Sequence, residues 1–123
     1  MTKKTRKVSL SEKMAELAVK GIQEKKGKDI LVMDLRELSQ SVCDFFIICT
    51  GDSSTQVSAI AGSVEDFIEK EMDENPWHVE GLQASQWVLI DYVDIVVHVF
   101  QPEFRDFYKI ENLWADAKMQ WIT

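Results

Sequence analysis

Phe45-Phe46-Ile47-Ile48-Cys49-Thr50-Gly51-Asp52-Ser53-Ser54 passes directly from an apolar, β-prone hexapeptide into a turn that ends in two helix-capping serines. Behind it Val57, Ile60, Ala61, Val64, Phe67, Ile68 and Met72 recur at three- and four-residue steps. This strand, turn and long amphipathic helix set the frame for the rest of the chain. Asn75-Pro76 is expected to end the helix, because proline cannot continue it.

Towards the N-terminus, Asp29 to Leu35 reads as a second strand. The connection from Glu37 to Asp44 is too short for a helical crossover, so these two strands are expected to pair antiparallel. Ser9-Leu10-Ser11-Glu12 has capping-box spacing. Leu10, Met14, Leu17, Ala18 and Ile22 then follow at helical steps, with Gly27 as the stop. Towards the C-terminus, Trp77 to Glu80 reads as a short edge strand closed by Gly81. Gln86 to Asp91 and Asp94 to Phe100 form a hairpin about Tyr92-Val93, and Pro102 closes it. Glu103 to Trp121 is expected to be a short helix or wrapped turn packed on the sheet. The order α-β-β-α-β-β-β-α predicts an α/β (α+β) domain, a mixed sheet flanked by helices. Residues 1–8 are expected to be a basic tail and 9–123 a single domain.

At 123 residues the chain fits one domain and can build a core without metal or disulfide staples. No apolar run approaches the ~20 residues of a membrane span. The basic start lacks the apolar stretch of a secretory signal, so a cytoplasmic location is expected. Charge is unevenly placed. Residues 1–28 hold nine Lys+Arg and three Glu, a net of +6; residues 29–123 hold five and 18, a net of −13. So acidic a body is a poor general binder of nucleic acid, apart from contacts its tail could make. It suits a basic protein partner better.

Few residues support catalysis. The Gly51-Asp52-Ser53 turn could cradle a phosphate, but a structural cap explains it more simply, and no Gly-rich phosphate-loop pattern is present. Asp91 and Asp94 flank the hairpin turn with His98 on the second strand, and no third acid completes a metal site. His98 is read as a satisfied structural histidine. Cys43 and Cys49 have no Cys-x-x-Cys spacing or nearby base and are read as core thiols. No metal, cofactor or catalytic residue is assigned.

Trp77, Trp87, Trp114 and Trp121 are many for a small acidic domain. Aromatic anchors edged by charge are typical of protein interfaces. Strand alternation puts Trp87, Leu89 and Asp91 on one face and Val88, Ile90 and Tyr92 on the other. One face must pack on the core, which leaves the other free to present an apolar surface edged by acid.

Three segments resemble one family. Asp44 to Ser53 resembles the D-[YF]-F-[VI]-I-x-T-G-x-S segment of the Iojap proteins, the ribosomal silencing factors. Trp87 to Phe100 is similar to that family's W-[VI]-L-[ILV]-D-[YFL]-G-D-[VI]-[VI]-V-H-[VI]-[FM] segment. Arg105-Asp106-Phe107-Tyr108, then Leu113-Trp114, matches its R-x-F-Y-x-x-x-x-L-W ending. Val93 stands where the family usually has Gly, so a different hairpin turn is expected. Gln56 stands near a position often held by Arg or His.

The resemblance implies a nucleotidyltransferase-like fold that has lost the catalytic acids, hence no enzyme activity. It also implies a translation repressor that binds the large ribosomal subunit through its protein fourteen and blocks joining of the small subunit. A role in large-subunit biogenesis is attributed to the family too. By motif match, Trp87, Asp91, Tyr92 and Asp94 are the expected partner contacts. A nucleotide-dependent enzyme and a homodimeric adaptor are the alternative readings.

Overall fold

A computed structural model describes residues 8–122 of the chain. The expected basic tail lies, except for Val8, outside these residues.

The elements in chain order are α1 (Leu10–Glu24), β1 (Lys28–Asp34), β2 (Phe45–Thr50), α2 (Ser54–Met72), β3 (His78–Glu80), β4 (Trp87–Asp91) and β5 (Ile95–Phe100). After them come α3 (Pro102–Tyr108), a 3-10 turn (Ile110–Trp114) and β6 (Lys118–Ile122). The strands form one sheet in the order β3-β4-β5-β2-β1-β6. β2 and β5 are parallel and every other neighbouring pair is antiparallel, including the expected β1–β2 pair. The fold is a single α+β domain around a mixed sheet.

β2 and β5 are buried along their whole length. Continuous apolar runs of this kind suit central strands covered on both faces. Phe45, Ile47 and Cys49 of β2 and Ile95, Val97 and Val99 of β5 pack under α1 and α2. Phe46, Ile48, Val96 and Phe100 point to the other side, where α3, the 3-10 turn and the 36–44 connection cover them.

Local chemistry accounts for the helix ends. The Ser9 hydroxyl accepts from the Glu12 N–H at 3.1 Å while the Glu12 carboxylate accepts from the Ser9 N–H at 3.0 Å, the reciprocal capping box. Ser53 caps α2 through the Gln56 N–H. α1 stops at Glu24, before Gly27, and α2 stops at Met72, before Pro76, with Asp73 left-handed at φ 56°. The two helices pack closely at Gly21, where an added Cβ would lie 2.7 Å from the Cα of Val64.

One expectation is corrected. The segment to Trp121 does not end as a helix or wrapped turn, because Lys118–Ile122 joins the sheet as a sixth strand, antiparallel to β1. Its side chains are nearly all exposed, so it carries little of the buried alternation that marks a strand in sequence.

Candidate interaction face and turn

The hairpin β4–β5 carries the expected site, and Gly81 fixes where β4 begins. At φ 90° and with an added Cβ only 2.1 Å from the Trp87 carbonyl oxygen, only glycine fits there. From Trp87 onward, alternation divides β4 as the sequence requires. Val88 and Ile90 enter the core beneath the helices, while Trp87 and Leu89 lie half-buried on the opposite face.

Trp87 sits at the centre of an aromatic cluster. Its ring stacks on Phe100 at 4.9 Å and 24° and meets Tyr108 at 4.8 Å. Phe107 packs edge-on against Tyr108 at 5.0 Å and is itself 78% exposed. The Trp87 Nε1–H donates to His98 Nδ1 at 3.1 Å. An indole nitrogen can only donate, so Nδ1 accepts and the neutral imidazole carries its proton on Nε2. That Nε2 is buried without a hydrogen-bond partner, so His98 is only half satisfied, contrary to the sequence reading. Burial pushes its pKa down to about 3, which keeps the ring neutral.

α3 brings Phe107 and Tyr108 to this face, and Arg105 anchors α3. Its guanidinium is buried, with Nη1 donating to the Asp29 carbonyl at 2.6 Å and to Thr50 Oγ1 at 2.8 Å. The Trp121 ring lies 5.7 Å away. The arginine of the R-x-F-Y match therefore holds the two aromatics that follow it in place.

Of the four expected contact residues, the structure brings three to one region. Trp87 and half-buried Asp91 share the aromatic face, and Asp94 is exposed in the adjoining turn. Tyr92 is separated from them. It is 6% exposed and packed in the helix-side core, with its hydroxyl buried and unpartnered. Burial first, then the carboxylates Glu65 and Glu69, push its phenol pKa up. Phe107 and Tyr108 join the face instead. Their signal in the sequence is the R-x-F-Y spacing, a family mark that does not by itself place either side chain.

The turn itself is unusual. The Asp94 N–H donates to the Tyr92 carbonyl at 2.9 Å across Val93, whose φ is 77°. This two-residue hydrogen bond with positive φ is the strained form of the γ-turn. The Asp91 carboxylate accepts from the Val93 N–H at 2.7 Å and secures the turn. Val93 thus holds, at the position where the family pattern has Gly, a positive φ of the kind that favours glycine.

The Gly51–Ser53 turn spends its donors on its own chain. Gly51 N–H goes to the Phe100 carbonyl, Asp52 N–H to Gln56 Oε1 and Gln56 N–H to Ser53 Oγ. The Gln56 amide also donates to the Lys25 and Lys26 carbonyls at 3.1 and 3.2 Å, tying the end of α1 to the start of α2. Its role is structural bracing. Cys43 and Cys49 are buried free thiols, both pushed up to about 12, chiefly by burial. Among the described residues no group of three or more His, Cys, Asp or Glu could hold a metal ion. No helix there is long and apolar enough to cross a membrane.

Residues 8–123 match the family model described as ribosomal silencing factor during starvation. A ribosomal silencing factor of Bacillus subtilis is 40% identical over 107 residues, covering 85% of this chain and 86% of its own. One from Chromobacterium violaceum is also 40% identical over 107 residues, covering 87% and 86%. The crystal structure of a Chromobacterium violaceum protein, 37% identical, superimposes with a TM-score of 0.81 over 94% of both chains.

Proposed function

The chain belongs to the ribosomal silencing factor family, and from that premise we propose that it represses translation by docking on the large ribosomal subunit. The contact in this reading is protein fourteen of that subunit, and the docked domain stands where the small subunit must join. Blocking is steric and needs no catalytic group. A bacterial-type cytoplasm is the compartment of this activity.

The observation that carries the reading is the face around Trp87. Trp87, Tyr108 and Phe107 form a contiguous aromatic surface, with Phe107 almost wholly exposed. Asp91 and Asp94 lie at its hairpin end. Aromatic anchors within an acidic rim complement a basic ribosomal protein, and the −13 charge of residues 29–123 steers the approach. Tyr92 enters the proposal only as support for the hairpin from below.

Co-sedimentation with separated ribosomal subunits tests it, with Phe107→Ala and Trp87→Ala alongside wild type at two salt concentrations. Migration with the large subunit alone, weakened by salt and by either substitution, is expected. A protein that stays at the top of the gradient with both subunits, while folded, overturns the reading. An assay of subunit joining then separates silencing of mature subunits from a role in their assembly.

A further inference from the structure

Arg105 carries a buried charge that its own chain does not neutralise. It is 8% exposed, and among the described residues no carboxylate lies within ion-pair distance of it. Its hydrogen bonds to Asp29 and Thr50 both leave from Nη1 and both end on neutral oxygens. The donors on Nε and Nη2 have no partner among the described residues, yet neither atom is sealed from solvent. A buried guanidinium left unpaired is costly, and an anion that reaches its free donors removes that cost.

Arg105 lines a cavity of about 370 Å³, and the same cavity holds an unmatched acceptor. Glu111 Oε1 is buried without a hydrogen-bond partner, and Glu111 lines the cavity beside Lys109. Trp121 forms a further wall, 57% exposed, with its ring 5.7 Å from the Arg105 guanidinium. Lys28, Asp29 and Trp121 also line an adjoining hollow of about 400 Å³, whose other walls include Gln23, Ile30 and Ile122. The first cavity lies at the carboxyl ends of the parallel strands β2 and β5, by Thr50 and Pro102. Open α/β sheets bind their ligands at such strand ends.

We propose that the two hollows together bind a nucleoside monophosphate, with its phosphate on Arg105 and Lys109, a ribose hydroxyl on Glu111 and its base against Trp121. Each contact answers an unmatched group. Phosphate fits the open fork of a guanidinium, a hydroxyl donates to a carboxylate, and a base stacks on an exposed indole. A simple anion leaves Glu111 unmatched, and an uncharged nucleoside leaves Arg105 unpaired. Charge selects one phosphate rather than three. Asp29, Asp106 and Glu111 balance Lys28, Arg105 and Lys109 in the lining, and Lys28 is already paired with Asp52 at 2.8 Å. The further charge of a di- or triphosphate therefore meets acid as often as base. The first cavity alone falls within the ~300–1,000 Å³ of small-molecule sites. A free nucleotide and the phosphorylated end of an RNA present the same group.

Titration of isotope-labelled protein with adenosine, guanosine, cytidine and uridine monophosphates tests the proposal, followed by NMR at backbone and indole N–H signals. The Trp121 indole signal is expected to move and saturate below several millimolar nucleotide, while the Trp87 indole stays in place. Trp121→Ala should weaken binding about tenfold, and Trp121→Phe should retain most of it. Lys109→Asn should also weaken it about tenfold; asparagine suits the left-handed φ of 44° at that position. Glu111→Ala should weaken the monophosphate without weakening inorganic phosphate. Lys118→Ala, outside both hollows, should change nothing. Circular dichroism checks that each variant is folded. A 5′-phosphorylated RNA tetranucleotide decides the source: the site takes an RNA end if the oligomer binds more tightly than the monomer, and a free nucleotide if it binds less tightly. No movement of the Trp121 signal with any monophosphate overturns the proposal. So does inorganic phosphate or a nucleoside triphosphate binding as tightly as the monophosphate, or a Lys118→Ala loss equal to that of Lys109→Asn.

Discussion

The indole N–H of Trp87 donates to Nδ1 of His98 across the β4–β5 hairpin at 3.1 Å. One hydrogen bond thereby couples the exposed aromatic face to the buried strand behind it. It fixes the tautomer of His98 and holds the Trp87 ring between Phe100 and Tyr108. Any loss of this bond changes the face and the core together, so Trp87→Ala tests both at once.

His98 makes stability depend on pH. Its folded pKa of about 3 lies below the ordinary 6.5, so the unfolded chain binds the proton more readily. The stabilisation is fully present above about pH 6.5 and is lost as pH falls towards 3, at no more than ~1.4 kcal/mol per pH unit for one group. His98→Gln keeps an acceptor for Trp87 and removes the titration. Urea unfolding at pH 7, 6, 5 and 4 should show wild type losing stability faster than the variant. Parallel losses would mean that other groups govern the acid limb.

Val93 stores strain at the hairpin. A β-branched residue at φ 77° costs on the order of 1–2 kcal/mol, and glycine there loses part of the gain to unfolded-state entropy. Val93→Gly is therefore expected to stabilise by about 1 kcal/mol and to raise Tm by roughly 4 °C. Thermal unfolding followed by circular dichroism checks it, and an unchanged or lowered Tm would remove the strain account.

Gly21 is expected to be far less tolerant. An added methyl group would meet the backbone of Val64, with contacts of 2.7 Å to its Cα and 2.9 Å to its N, and backbone cannot rotate away. Alanine's better helix propensity returns only about 1 kcal/mol. Gly21→Ala should lower stability by ~2 kcal/mol as α1 and α2 are forced apart. Chemical denaturation of the variant measures this directly, and a gain in stability would show that the helices separate freely.

The sequence made the long periodic elements legible because burial imposes their period. Val57 to Met72 repeats as a helix, and β2 and β5 are apolar throughout because both faces are covered. β6 lacked that signal, since its pairing with β1 is a tertiary event between mostly exposed residues. Tyr92 shows a different limit. Alternation alone sends it to the face opposite Trp87, but grouping by motif set it among the contact residues. Arg105 belonged to a recognised motif, yet its partners Asp29 and Thr50 are 76 and 55 residues away in sequence. Only the folded chain reveals what it anchors.

Phe107 and Asp94 separate docking from folding more cleanly than Trp87 does. Phe107 is 78% exposed and Asp94 is exposed in the turn, so Phe107→Ala and Asp94→Arg should each leave stability within about 0.5 kcal/mol of wild type. An interface anchor of the Phe107 kind contributes on the order of 2 kcal/mol, so its truncation should weaken large-subunit binding by roughly 30-fold at all salt concentrations. Reversing Asp94 acts through charge, so its effect should be large at low salt and fade as screening shortens the range of the field. Binding titrations of both variants at two ionic strengths distinguish an aromatic anchor from an acidic rim. Equal salt dependence in the two variants would assign the docking energy to charge alone.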